Sequence, residues 1–407
     1  MSFEIARSGI NAVSGSLEAI SNNIANSGTY GFKSSRANFS AMYSGTQMNG
    51  AELSSMSQSI EKSGGLFNTG RGMDAMIQGR GFFAVKDDSG QQVFTRVGIF
   101  NVDKDGFVVD ANGRKAQGYG VVVDATGKPV PGAGLGALGD LKVPTGQIGA
   151  EASTKLAFNG NLSADWTVPG APGPLPAFNA NDPTTFNSSI TSVVHDSLGS
   201  VHKVTQYFVK TAANAVTVRY SFDGAMQPAT QALGFDGNGK LTGPLAPVTF
   251  GPVAIAGGAA PLSFDIDYKG TTQYAGDTTT LTNTADGYAA GTLTGTAITD
   301  DGSIVASYSN GKKQTVGTLA LATFANENAL QAVNDTSWEA NDATGAALFS
   351  RPGSATASKL TVAAIEQSNV DMTGELVNLM SAQRNYQANT KVISAENEMM
   401  QNLMQAV

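Results

Sequence analysis

The sequence predicts a mainly β chain with α-helical termini: N- and C-terminal heptad helices pairing as a coiled coil, and two nested β-rich domains between them, one inserted in the other. Apolar residues at both ends recur with alternating spacings of three and four. Between the ends, short β-branched and aromatic runs alternate with turn residues. The composition agrees, because 48 of the 407 residues are glycine and only 14% are charged, against about 7% and about 25% in ordinary soluble domains.

The first helix carries Phe3, Ala6, Ile10, Val13, Leu17, Ile20 and Ile24 on one seam, an unbroken heptad pattern. It then runs into "SNNIANSGTYGFKSSR". Ile24 is the last seam residue, and Asn26, Ser27 and Gly28 are suited to stopping a helix. Tyr30 and Phe32 offer aromatic anchors at the bend that follows, and Lys33 and Arg36 offer charge.

Residues 37–75 are small and polar, with little sign of helix. From about residue 76 the texture is that of strands, with Asp-Ser-Gly, Lys-Asp-Gly and Asn-Gly as hairpin signals. Stretches rich in Pro, Gly and Ala at 129–139 and 168–176 read as linkers or domain edges. The expected layout is a terminal helical assembly domain at 1–26 and 365–407, with a connecting segment at 27–75 and 351–364. An inner β domain follows at 76–150 and 285–350, with an outer β domain inserted at 151–284.

The C-terminal seam runs Leu376, Leu379, Gln383, Tyr386, Thr390, Ile393, Asn397, Met400, Met404 and Val407. Gln383, Thr390 and Asn397 recur at one class of position, where polar residues fix register and partner number. A looser second face holds Val377, Met380, Val392, Met399 and Leu403. Two apolar faces call for partners on two sides, and such helices at both termini point to assembly.

Positive signs of catalysis are missing. "GLGALG" places Gly134, Gly136 and Gly139 in the G-x-G-x-x-G pattern, but Pro129 and Pro131 precede it and no helix pattern follows, so a linker is expected. Asp103, Asp105 and Asp110 resemble a calcium loop without its closing Glu, and read as an Asp-Gly turn between strands. His195 and His202 could face each other across a hairpin, yet two ligands make a weak metal site and ordinary strand residues are expected. No G-x-S-x-G elbow occurs, and no pair among the 33 acidic residues stands out as a glycosidase pair. No cofactor is implied. The net charge of −8 and the lack of a basic cluster argue against nucleic acid and anionic membranes. Zero cysteines exclude disulfides and thiolate chemistry. With no membrane span and no signal-peptide pattern, export is expected to use a route that cleaves no such signal.

"SNNIANSGTYGFKSSR" closely resembles the N-terminal signature of flagellar axial proteins, the rod, hook and hook-associated subunits, and "EQSNVDMTGELVNLMSAQRNYQANTKVI" is similar to the matching C-terminal one. On the resemblance, Asn22, Asn23, Asn26, Tyr30, Gly31, Phe32 and Lys33 are the family motif and contact neighbouring subunits. A plain helix stop with local packing is the alternative. "NTGRGMDAMIQGRGFFAV", "TRVGIFNVDKDGFVVD", "DGSIVASYSNG" and "GTLALATFANENAL" resemble core segments of the hook subunit, and "TSVVHDSLGSVHKVTQYF" its inserted outer domain. One departure is "RPGSATASKLTVAAIEQ", where the family usually has a glycine-rich stretch leading to a Gly-Ala-Leu-Glu-type segment.

The resemblance implies a non-enzymatic, extracellular subunit of the bacterial flagellum. It would self-assemble into the curved tubular hook, a flexible joint passing motor torque to the filament. Implied partners are identical hook subunits, the distal rod, the hook cap, hook-associated junction proteins and the flagellar type III export apparatus. Two alternatives stay open: a rod subunit, and, from a different class, a secreted β-rich binding module.

Overall fold

The computed structural model describes residues 2–44, 47–123, 130, 133–354 and 358–405. Pro129, Pro131 and Val407, named above, lie outside the described residues. The chain forms two compact units: Met1–Thr145, Thr294–Ser307 and Lys313–Val407 make unit 1, and Gly146–Leu293 with Tyr308–Lys312 make unit 2. The second β-rich unit is therefore nested in the sequence of the first.

Unit 1 holds both helices, α1 (Ser2–Ala25) and α2 (Met372–Gln405). Asn26 closes α1: its backbone N–H donates to the Asn22 carbonyl at 3.0 Å, and its side-chain amide donates to Asn22 Oδ1 at 2.6 Å. Asn26 Oδ1 then accepts from the Thr29 hydroxyl, which ties the turn. The left-handed residue that redirects the chain is Gly31, at φ 69°, rather than Gly28. Asp371 caps α2, its Oδ1 accepting from the Thr373 N–H.

The segment read from sequence as small and polar contains a long antiparallel hairpin, β1 (Ser35–Ser44) and β2 (Gln47–Gln58). Its register sets Phe39 opposite Leu53 and Ala37 opposite Met56. The alternation Ala37, Phe39, Ala41, Tyr43 puts these residues on one face. Two short ladders join the front of the chain to its back: Leu66–Asn68 pairs with Ala364–Glu366, and Ala75–Gln78 pairs with Lys359–Val362.

The β body of unit 1 is built around Phe82–Lys86, whose Phe82, Phe83, Ala84 and Val85 are all buried. A central strand covered on both faces reads as a continuous apolar run, as this one does. Its core gathers Ile60, Phe82, Phe94, Ala322, Phe324, Leu330 and Trp338. Trp338 also donates its indole N–H to Gln58 Oε1 at 2.7 Å, which fastens the base of the hairpin to the body.

Unit 2 is a β-sandwich. A five-stranded antiparallel meander runs Ser188–His195, Val201–Ala212, Ala215–Phe222, Ala225–Phe235 and Leu241–Gly243. Its partner sheet orders Val248–Val253, Leu262–Asp267, Lys155–Asn161 and Thr279–Ala285. Inward residues alternate along Ala215–Phe222 and meet Phe158, Phe250 and Phe264 from the other sheet. Tyr268 donates its hydroxyl to Gln206 Oε1 at 2.6 Å and lies 2.8 Å from the Tyr220 hydroxyl, so the polar atoms of the core are paired. Burial pushes the Tyr220 phenol up to about 12.

Three of the rejected motifs now have places. The glycine pattern is not a linker. Leu135–Asp140 is a strand pairing with Lys115–Val121, and Gly136 packs on the Gly120 carbonyl where a side chain would not fit. Asp103 Oδ1 accepts the N–H groups of Asp105 and Phe107, which makes a tight turn and no cation loop. His195 and His202 do not face each other, because His195 pairs with Val201 and Val194 with His202, so the two rings point to opposite faces.

His202 stands between two carboxylates, with Nδ1 at 2.6 Å from Asp223 Oδ2 and Nε2 at 3.3 Å from Asp196 Oδ2. Burial acts to lower its pKa, but the hydrogen bonds from Asp223 and Asp196 outweigh it and hold the imidazolium above 6.5. A pKa raised on folding contributes stability that is complete below the unfolded value and lost as pH rises through the folded one. Protection of the 188–205 amides in the full chain should therefore fall as pH rises above about 6.5, and His202→Gln should flatten that dependence in hydrogen-exchange measurements.

Candidate assembly interface

α1 and α2 pack side by side and antiparallel. At one end Asn23 donates to Glu375 Oε1 at 2.9 Å; at the other a side chain on Gly9 would meet Asn389 at 2.9 Å. Fourteen residues back along α1 thus match fourteen forward along α2. On that register Ser2 lies level with Glu396, and the last nine residues of α2, from Asn397 to Gln405, run past the end of α1.

On α1 the sequence-predicted seam is covered unevenly. Ala6 and Ile20 are buried, Ile10, Val13, Leu17 and Ile24 are half-buried, and Phe3 is exposed. The seam leaves out Ala12, Gly15, Ala19 and Asn23, which are also buried. The reason is steric: α1 lies between the hairpin and α2, and small residues let both approach. A Cβ on Gly15 would stand 2.9 Å from Leu53, and Ser8 Oγ accepts the Ala51 N–H.

On α2 the difference is larger. The less exposed positions include Glu375, Leu379, Ala382, Asn389, Ile393 and Glu396, and only Ala382 is buried. Of the predicted seam, Leu379 and Ile393 fall among these. Leu376, Gln383, Tyr386, Thr390, Asn397, Met400 and Met404 are exposed, as are Val377, Met380, Val392, Met399 and Leu403 of the second face. The helix pair thus uses small and amide-bearing residues beside Ile20, Leu379 and Ile393, and most of the large apolar side chains of α2 are exposed. A groove of about 750 Å³ remains between α1, α2 and the hairpin, lined among others by Ala12, Ser16, Phe39, Ala51, Asn378 and Asn385.

Where the helices join the β body, the asparagine-rich stretch forms a collar. Asn23 is buried, exchanges two hydrogen bonds with the backbone of Ser35, and reaches Glu375 with the same amide. Asn22 and Asn26 close the helix end as described. Gly31 donates its N–H to the Glu366 carbonyl and has no room for a side chain against Val97. Tyr30 stacks on Phe67 with centroids 6.1 Å apart, both rings partly open to solvent, and Phe32 is half-buried.

Lys33 offers no charge to a neighbour. Its ammonium is wholly buried, 2.7 Å from Glu366 Oε1 and 2.8 Å from the Lys62 carbonyl. Glu366 Oε1 also accepts the Gly64 N–H, and its Oε2 lies 3.5 Å from the buried guanidinium of Arg96. Burial pulls the Lys33 and Arg96 pKa values down, and the Glu366 carboxylate opposes that in both. Arg96 rests over the Phe82 ring at 5.1 Å. Asn369 completes the collar, accepting the Ser34 N–H and donating to the Ser59 and Lys62 carbonyls.

The comparisons with known proteins agree along the whole chain. Residues 3–33 match the family "Flagella basal body rod protein", and residues 362–406 match "Flagellar basal body rod FlgEFG protein C-terminal". Residues 76–163 match "Flagellar hook protein FlgE/F/G D1 domain", and residues 161–288 match "Flagellar basal body protein FlaE D2 domain". The flagellar hook protein FlgE of Salmonella typhimurium is 36% identical over 99% of both chains. The chain belongs to the flagellar hook protein FlgE family. The Escherichia coli K12 hook protein is 34% identical, again over 99% of each chain. The crystal structure of the Helicobacter pylori flagellar hook protein FlgE2 shares the fold, with a TM-score of 0.52 at 14% identity over 72% of this chain and 98% of that one. The protein is thus a structural subunit of the flagellar hook and not an enzyme. Among the described residues no helix is long and apolar enough to cross a membrane.

In this hook subunit, sequence reasoning missed Arg96, Glu366, Asn369 and Glu375, although the last three lie in the C-terminal signature. The departure before that signature also has a structural meaning. Ala363 sits at φ 54°, its carbonyl accepting the N–H groups of both Thr69 and Gly70. Glycine would adopt that conformation without strain.

Two outcomes follow for equilibrium unfolding in denaturant. Ala363→Gly should stabilise by about 0.5–1 kcal/mol, the relief of left-handed strain less the added chain entropy. Glu366→Ala should destabilise by about 3–5 kcal/mol, because it leaves two buried cations unpaired.

Proposed function

We propose that this hook subunit polymerises through its terminal helices, with the outward apolar face of α2 buried between copies. The observation that carries this reading is the row of exposed large side chains from Leu376 through Val377, Met380, Val392, Met399 and Met400 to Leu403 and Met404. Covering one Leu or Met fully is worth about 1.5–3 kcal/mol, and a monomer leaves that energy unused. Contacts between different patches of like subunits, when they do not close into a ring, give an open helix, and an open helix of this kind is a tube. In this reading Phe3, Ala6, Ile10, Val13, Leu17, Ile20 and Ile24 set α1 against α2 and the hairpin, while the seam from Leu376 to Met404 meets neighbours.

The partners are identical subunits along the tube, the distal rod beneath, a cap during growth and hook-associated junction proteins above. The type III export apparatus delivers the chain, and the finished hook lies outside the cell. The two terminal matches are to rod-protein families, which supports one shared mode of assembly for rod and hook. We assign 1–26 and 365–407 to assembly, 27–75 and 351–364 to connection, and 76–150 with 285–350 to the inner β domain. Residues 151–284 form the outer domain. The outer surfaces are weakly charged and exchange contacts as the curved tube turns, so bending compliance resides there and in the linkers.

After salting out, electron microscopy should show curved tubes from the full chain and none from a form lacking 1–25 and 376–407. Tubes from the trimmed form would refute assembly through the helices. Removal of 151–284 should change curvature or stiffness and leave a tube; loss of all polymer would refute that division of labour.

A further inference from the structure

The shielded side of α2 outlasts its partner. Along Glu375, Leu379, Ala382, Asn389, Ile393 and Glu396 the helix keeps a heptad rhythm of lower exposure. The next two positions in that rhythm are Met400 and Leu403, each 61% exposed, on the part of α2 that runs past the end of α1. The same unit has an incompletely filled groove lined by small, apolar and polar side chains alike. Phe39 and Leu53 belong to the hairpin face turned toward α1 and are still 49% and 40% exposed.

We propose that the Met400–Leu403 end of α2 from one copy seats in the groove between hairpin, α1 and α2 of the next. This deepens the assembly reading above and rests on it. Continuity is the first argument, since the projecting face extends a seam that already buries side chains against α1. Length is the second: the groove lies between the levels of Glu375 and Asn389, about 21 Å along the helix, and nine projecting residues span about 13 Å. Chemistry is the third. The groove floor is of small residues such as Ala12 and Ser16, which let a helix come close, and methionine adapts to an irregular wall. Peg and groove occupy different places on one chain, so the contact is head-to-tail, the kind that can propagate into an open helix.

The chain has no cysteine, so introduced thiols report without background. Phe39→Cys and Met400→Cys chains are mixed in equal amounts, salted out into polymer, and treated with a short bismaleimide. The mixed cross-link between the two variants is expected in polymer and absent from dilute monomer. In parallel, the Met400→Glu, Leu403→Glu chain should keep its helical circular dichroism, because these side chains are largely solvent-exposed in the monomer. Its critical concentration for assembly should rise about tenfold or more. Polymer that forms at the normal concentration in the double variant, or that yields no mixed cross-link, overturns the docking and leaves helix-driven assembly standing. Failure of the unaltered chain to extend preformed hooks overturns the assembly reading and the docking with it.

Discussion

The carboxylate of Glu366 lies where three distant parts of the chain meet, and the placement of both helices depends on it. Lys33 arrives from the segment after α1, Arg96 from the β body, and Glu366 itself from the strand before α2. None of these side chains touches solvent. A buried ion pair of this kind contributes little net stability compared with a well-packed apolar cluster, since desolvation offsets most of the attraction. What it provides is geometry. A carboxylate bonded to an ammonium and a backbone N–H, beside a guanidinium, has one acceptable position, and displacement of any partner leaves a charge stranded. With Asn23 and Asn369 hydrogen-bonded on either side, the start of α2 and the end of α1 are held at a defined separation.

That constraint explains how the helix pair can spend so little apolar surface on itself. Two helices pinned at one end by the collar can lie close on small residues such as Gly9, Ala12, Ala19 and Ala382, with few large apolar side chains between them. Most of the larger side chains of α2 are left exposed. In an unpinned pair the same outward methionines and leucines would compete to turn inward. On the proposed assembly, the collar separates two tasks that hydrophobic residues usually share, holding the monomer together and joining it to its neighbours.

Much of the architecture was legible in the sequence, for physical reasons. Heptad spacing survives any partner, so both helices could be read from periodicity alone, as could the turn-punctuated strands. The offset on α2 was not legible. Periodicity selects the most apolar stripe, and most of that stripe is exposed here, while the least exposed positions of α2 include Glu375, Leu379, Ala382, Asn389, Ile393 and Glu396. The hairpin at 35–58 hid behind serine, glutamine and methionine, with only Ala37, Phe39, Ala41 and Tyr43 alternating faintly. Glycines at 134–139 looked like a linker because an edge strand packed on a neighbouring glycine needs no bulk. The pairing of Lys33 with Glu366 spans more than three hundred residues, and no local pattern could announce it.

The two units also divide their chemistry in a way that bears on mechanics. Unit 2 closes its own core: seventeen buried residues from both sheets form a single cluster, with the Tyr220, Tyr268 and Gln206 side chains hydrogen-bonded inside it. Such a sandwich resists deformation, because its packing admits no gradual change. Unit 1 instead leaves a groove beside α1 and a long apolar edge on α2. A joint that must bend while transmitting torque needs stiff bodies, and this chain places rigidity inside its β cores. Met399, Met400 and Met404 can change rotamer at little cost where a β-branched side chain would be held to one shape. On the proposed reading, such side chains let the helix contact between copies keep its packing while the outer surfaces and the linkers take up the bending.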